Sequence, residues 1–195
     1  MAVTERAHRR EELLKAAAGL FSRRGYHGTS MGDLADSMGI LRGSLYSHIN
    51  SKEDLLFDIV DQGADRFITR MEEVVASEDP PTDKVRLAIE AHVTTVAEHL
   101  DASTVFLNEW RYLSGDKLDT IQAKRDLYES LISEIVEEGI EWGAFPEELD
   151  PKFATLLILS VVNWLYQWYD PEGEKSLDQI VEIFTALLLG GLKGA

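Results

Sequence analysis

The sequence predicts an all-α fold of about nine helices. Three observations carry that prediction. Apolar residues recur at helical spacing along most of the chain. No run alternates apolar with polar residues as a half-buried strand would. The interruptions are short, rich in Gly, Pro and Asp, and several are followed by a Ser placed to cap a helix.

The elements follow in order. The first helix covers roughly 4–24, with Leu13, Leu14, Ala17, Leu20 and Phe21 on one face, and Gly25 in "RRGYHG" suits the left-handed conformation that ends a helix. Ser30 opens the second helix, and with Asp33 it forms a capping box in which each side chain satisfies the other's backbone N–H. Leu34, Ala35 and Met38 face inward, and Gly39 ends the helix. A third helix, about 41–49, is short and polar: "GILRGSLYSHIN". Ser51 with Asp54 caps a fourth, which runs towards 76 with Leu55, Leu56, Ile59, Val60, Ala64, Phe67, Ile68 and Met71 as its apolar set. After the break "SEDPPTD" come a fifth helix at about 83–100, a sixth at about 103–113 and a long seventh at about 117–142. Pro151 sits in the first turn of an eighth, whose stretch 153–169 is uncharged. The ninth is capped by Ser176 with Gln179 and ends near 189.

Composition narrows the class. With 195 residues, 45% hydrophobic and 28% charged, the chain is long enough and apolar enough to fold around a core. The absence of cysteine excludes disulfides and thiolate metal sites. The charged N-terminus does not read as a signal peptide. The stretch 153–169 is shorter than the ~20 residues a membrane span needs and contains Ser160, Asn163 and Gln167. A buried helix and a cytoplasmic chain without membrane contact are therefore expected. The net charge of −16 is uneven: residues 1–54 hold 8 Lys/Arg and 7 Asp/Glu, leaving 11 and 28 of the chain's 19 and 35 for the remainder. Because salt screens charges beyond about 8 Å, the nearly neutral N-terminal part can approach a polyanion that the rest would repel.

Two helices joined by a tight glycine turn, the second short and polar, form a helix-turn-helix, in which the second helix enters the DNA major groove. That spacing alone also fits a three-helix bundle with a solvated third helix. The wider pattern is more specific. "GYHGTSMGDLADSMGILRGSLYSHINSKEDLL", within about 9–56, resembles the N-terminal DNA-binding domain of the TetR family of bacterial repressors. The resemblance implies a DNA-binding domain at 1–52, an effector-binding and dimerisation domain at 53–195, and a dimer on a pseudo-palindromic double-stranded operator. Carried over residue by residue, it implies that Thr29, Tyr46, His48 and Lys52 hold phosphates, that Arg42 and Ser44 meet base edges, and that Gly43 lets the backbone come close. Two positions depart from the family pattern. Leu41 stands where a small capping hydroxyl is usual, so that cap must come from elsewhere, and Ile49 replaces a usual Phe.

The body has its own signals. The eighth helix is apolar nearly all round and so must be covered on all sides; the resemblance implies that the eighth and ninth helices pair with those of a second subunit. Phe106, Glu109, Trp110, Arg125, Tyr128, Asn163, Trp164 and Gln167 combine large aromatics with a few polar groups, as an effector cavity needs, although aromatics at this spacing also make plain core. Asn163, in the middle of the expected eighth helix, needs a partner if buried. "EWRYL", "EEGIEWGAF" and "WLYQWYDPEG" resemble a subgroup that senses acyl-coenzyme A thioesters, with Arg66, Arg70, Arg111, Lys124 and Arg125 available for the phosphates. The expected function is a ligand-responsive repressor released by a small hydrophobic effector. A drug-responsive repressor of an efflux system is the alternative, and a helical interaction protein that binds no DNA is the reading from another class. Neither Gly-x-Ser-x-Gly, His-Glu-x-x-His nor a phosphate-binding glycine loop occurs, so no enzyme is expected. His92 and His99, seven residues apart, are too weak a pattern for a metal site, and no cofactor is expected.

Overall fold

The computed structural model describes residues 2–46 and 49–192. It is all-α, with no strand among the described residues. The helices are α1 (Ala2–Arg24), α2 (Met31–Ser37), α3 (Arg42–Leu45), α4 (Lys52–Val75), α5 (Pro81–Glu98), α6 (Leu100–Asn108), α7 (Gly115–Glu141), α8 (Pro151–Asn163), α9 (Leu165–Trp168) and α10 (Leu177–Leu192). Among the described residues, no helix is long and apolar enough to cross a membrane.

Local chemistry explains most boundaries. Ser30 N–H donates to Asp33 Oδ2 at 2.7 Å while Asp33 N–H donates to Ser30 Oγ at 3.1 Å, which completes the capping box. Asp54 N–H donates to Ser51 Oγ at 3.0 Å. At α10, Ser176 N–H donates to Gln179 Oε1 at 3.1 Å and Gln179 N–H to Ser176 Oγ at 3.3 Å. Leu41 makes no side-chain cap at α3. Gly39 turns the chain between α2 and α3 with φ +64°, a conformation that a side chain disfavours. Gly139 is needed for another reason: a Cβ there would lie 2.2 Å from the Phe145 ring, which folds back onto the end of α7.

Three elements differ from expectation. The helical part of α3 ends at Leu45, and Tyr46 is its C-cap. The sixth helix starts earlier and stops at Asn108, after which Trp110–Tyr112 form a single 3₁₀ turn. The expected eighth helix is two helices, broken between Asn163 and Leu165 at Trp164. Asn163 is therefore a half-buried residue at a helix end and not a buried one in mid-helix.

The chain folds into two compact units. The first comprises Met1–Ala64 and Asp101–Gln122, and the second Asp65–Leu100 and Ala123–Ala195. The expected division at 52/53 follows chain order, whereas these units do not: α6 and the start of α7 group with the N-terminal helices. In the first unit, Leu13, Phe21, Leu34, Leu45, Leu55 and Leu56 are buried. In the second, α5 packs against α8, α9 and α10, and its core includes Phe67, Met71, Ile89, Ile132, Ile135 and Leu165.

Candidate functional site

The short helix α3 has two faces of different chemistry. Leu45 is fully buried and Ile49 nearly so, and these hold the segment to its unit. Leu41, Arg42, Gly43, Ser44 and Tyr46 are exposed, Tyr46 by half. A Cβ added at Gly43 would meet nothing within 4 Å, which places that backbone on open surface. A guanidinium, a hydroxyl, a bare backbone and a phenol thus share one outward face. Arg matches the two acceptors of guanine in the major groove. Seven α2 residues and a glycine turn precede this face, as a helix-turn-helix requires.

Two of the expected phosphate ligands are turned inward. Thr29 is 1% exposed, and its hydroxyl donates to the Gly25 carbonyl at 3.0 Å. Lys52 Nζ donates to the carbonyls of Tyr26 and Thr29, each at 2.8 Å, and lies 4.1 Å above the Tyr26 ring. An ammonium has three donors, and two are already committed here. Desolvation holds the Lys52 pKa below the usual lysine value. The reason for both arrangements is the 25–29 turn between α1 and α2. It leaves carbonyls that no helix satisfies, and Thr29 and Lys52 supply the donors. Both residues position the turn, and only one N–H of Lys52 remains for a phosphate. His48 lies outside the described residues.

The same unit commits Glu109, expected among the effector-binding groups. It is 6% exposed and accepts from Tyr26 N–H at 2.7 Å and from Asn108 Nδ2 at 3.0 Å. Tyr26 also stacks on Tyr112 at 5.8 Å between centroids. Ser114 donates to Glu53 through both its N–H (2.9 Å) and its hydroxyl (2.8 Å), and Lys117 pairs with Asp54. These bonds are what tie residues 101–122 to the helix-turn-helix and the start of α4. Phe106, buried, and Trp110, half-buried beneath Arg111, belong to this unit as well.

The other candidate effector residues belong to the second unit. Tyr128 is buried, and its hydroxyl lies 2.9 Å from His92 Nδ1. The Phe67 ring sits 4.8 Å from that of His92 and 5.8 Å from that of Tyr128. Burial pushes the His92 pKa down to about 3 and the Tyr128 phenol up. Arg125 and Asn163 are half-buried, Gln167 is exposed and Trp164 is 60% exposed. The sequence singles out His92 only in a weak metal pattern with His99. Its signal in the sequence is a polar ring on the apolar stripe Val85, Ala88, Ile89, Val93 and Val96 of α5, all of which are buried. A separate cleft of about 380 Å³ is lined by Arg66, Arg70 and His99 with Asp65, Thr69 and Glu73. Arg70 bonds Thr95 and Glu98, and Lys124 pairs with Asp65.

A further surface belongs to α8 and α10. Ala154, Thr155, Ile158 and Val162 are buried on one side of α8, while Phe153, Leu156, Leu157 and Trp164 are exposed along the other. Trp168, and Ile183 and Leu187 of α10, are exposed too, Leu187 by 71%.

Residues 13–59 match the family described as "Bacterial regulatory proteins, tetR family", and residues 78–192 match "Tetracyclin repressor-like, C-terminal domain". The HTH-type transcriptional repressor KstR2 of Rhodococcus jostii (strain RHA1) is 32% identical over 189 residues, covering 94% of this chain and 91% of that protein. The structure of the ketosteroid transcriptional regulator KstR2 of Mycobacterium tuberculosis superposes with a TM-score of 0.90 at 28% identity, covering 96% of each chain. AibR in complex with isovaleryl coenzyme A and operator DNA gives a TM-score of 0.84 at 28% identity, covering 93% of this chain and 98% of that one.

Proposed function

The chain belongs to the TetR family of transcriptional regulators, and from that premise we propose that it is a dimeric repressor whose hold on a pseudo-palindromic operator is lowered by an acyl-coenzyme A thioester. It is a regulator and not an enzyme. The observation that carries the DNA reading is the two-faced α3, with Leu45 buried beneath an exposed Arg42, Ser44 and Tyr46. Arg42 and Ser44 read bases, Gly43 lets the backbone approach, and Tyr46 and His48 hold phosphates. Thr29 and Lys52 act mainly by fixing the turn behind them. The repressor works in the cytoplasm, beside its operator.

Dimerisation uses the exposed apolar residues of α8 and α10, which correspond to the eighth and ninth helices expected from sequence. Phe153, Leu156, Leu157 and Trp164 follow the i, i+3, i+4 pattern of one helix face, and Ile183 and Leu187 are one turn apart. A monomer that exposes such a stripe leaves favourable burial unused. A second copy offers the same stripe, and a two-fold interface makes it self-complementary.

The acyl-CoA reading is supported by the likeness to AibR, solved with isovaleryl coenzyme A, and to the ketosteroid regulators. The second unit supplies fitting chemistry. Tyr128, with Arg125, Asn163 and Gln167, is the candidate set for the acyl part, and Arg66 and Arg70, in the cleft beside His99, offer cations to phosphates. The test is fluorescence anisotropy on a duplex from the gene's own upstream region, titrated with acyl-CoAs, the matching free acids and lipophilic drugs. Release by acyl-CoAs and poor release by the acids is expected. Release by drugs alone would replace the effector class, and a protein that binds no duplex from its own locus would overturn the repressor reading.

A further inference from the structure

His92 has one ring nitrogen in use and one idle. Nδ1 lies 2.9 Å from the Tyr128 hydroxyl, while Nε2 is buried and meets no partner. The residue is 1% exposed, and Phe67 and Tyr128, its ring neighbours, are 2% and 6% exposed. A neutral imidazole carries one donor and one acceptor, so the Tyr128 bond decides which nitrogen holds the proton. A phenol donates better than it accepts, and a bare imidazole nitrogen is a better acceptor than a phenolic oxygen. The Tyr128 O–H therefore donates to Nδ1, and the proton of His92 sits on Nε2. Burial keeps the ring neutral, with a pKa of about 3, so a doubly protonated ring does not compete near neutral pH. The result is a directional N–H donor set among apolar rings with no acceptor. Such a group opposes folding until something bonds it. Two hydroxyls, of Thr155 and Thr185, are also buried without partners, but a hydroxyl can rotate towards a carbonyl of its own helix, and an imidazole edge cannot.

We propose that the Nε2–H of His92 donates to the thioester carbonyl oxygen of the acyl-CoA effector, with Tyr128 fixing the tautomer and the Phe67 ring flanking the acyl group. This rests on the acyl-CoA reading above. The carbonyl is the one acceptor that every acyl thioester carries into apolar surroundings, whatever its chain. A site built around a hydrogen bond rejects an analogue lacking the acceptor far more strongly than an apolar site rejects a missing methylene.

The test compares an acyl-CoA with its thioether analogue, in which CH₂ replaces C=O, by calorimetric titration of the full-length protein. The wild type is expected to prefer the thioester by about tenfold or more. His92→Phe/Tyr128→Phe removes both polar groups at nearly constant ring volume, and is expected to bind the two compounds alike. In ¹⁵N-imidazole spectra of the wild type, the Nε2–H tautomer of His92 should be present without ligand and should shift with the thioester but not with the thioether. Equal wild-type affinities for the two compounds would overturn the inference while leaving the effector class standing. A wild type that binds neither, but still binds operator, would overturn the acyl-CoA reading itself. The wild-type preference and the Nε2–H resonance decide the matter even if the double variant does not fold.

Discussion

Two threonines show how the two units differ. Thr29, in the first unit, and Thr155, in the second, are each 1% exposed. The Thr29 hydroxyl donates to the Gly25 carbonyl, while that of Thr155 finds no partner. The pattern extends beyond them. In the first unit a buried carboxylate, Glu109, takes two donors, and a half-buried ammonium, Lys52, closes two carbonyls. In the second, His92 Nε2 is idle and Leu157, Leu187 and Trp164 are open to solvent. These groups of the first unit are bonded internally, which braces the platform for α3. The second keeps unmet polar and apolar demands, which suits a part that takes up a partner and an effector.

The largest effect should come from denying the second unit its partner. Leu157→Glu with Leu187→Glu places charges on the exposed stripe, where the fold of the single chain has little at stake. Sedimentation should show a monomer. Loss of the linked half-sites should weaken operator binding by about 10²- to 10⁴-fold. A variant that remains dimeric would move the interface elsewhere.

Next comes the first unit's own closure. Lys52→Met keeps the stem and removes both charge-assisted bonds to the 25–29 turn. A loss of about 2–3 kcal/mol in urea unfolding is expected. Operator affinity should fall for every sequence alike. If stability were unchanged while the salt dependence of binding dropped by about one phosphate's share, Lys52 would be a DNA ligand first and a structural residue second.

The second unit should respond to acid more than the first. The His92 pKa falls from 6.5 to about 3 on folding, so below 6.5 the unfolded chain takes up the proton first. Stability from this group is therefore complete above pH 6.5 and declines as pH falls towards 3, by about 2 kcal/mol at pH 5. Carboxylates titrate over part of the same range, so the measurement is a difference. The wild type should lose about 2 kcal/mol more than His92→Phe/Tyr128→Phe between pH 7 and pH 5 in thermal or urea unfolding.

In both units the sequence shows contacts within one helical turn better than contacts between distant residues. A capping box such as Ser30 with Asp33, or Ser176 with Gln179, lies within one helical turn, so its chemistry can be read from neighbouring letters. The glycine turn and the polar outer face of α3 are equally local. The inward roles of Thr29 and Lys52 are not, because they depend on which carbonyls the 25–29 turn leaves unpaired. The break at Trp164 has no Pro or Gly to announce it. His92 and Tyr128 meet across 36 residues, and nothing in either neighbourhood pairs them. Glu109 reaches Tyr26 across 83 residues, and neither neighbourhood announces that bond.

The smallest effect, and the one that sharpens the contrast most, belongs to Arg42→Ala. The side chain is exposed at the start of α3, so its loss should leave unfolding within about 0.5 kcal/mol of the wild type. On the operator the cost should be about tenfold per half-site, and it should be concentrated at one base pair. A panel of duplexes with single-base changes separates the two contributions. The wild type should discriminate at that position, and the variant should treat its alternatives alike while keeping its preferences elsewhere. Lys52→Met should do the reverse, lowering stability and leaving the base preferences in place. If Arg42→Ala instead weakened all duplexes equally, Arg42 would be holding a phosphate, and base reading would fall to Ser44 and its neighbours on the same face.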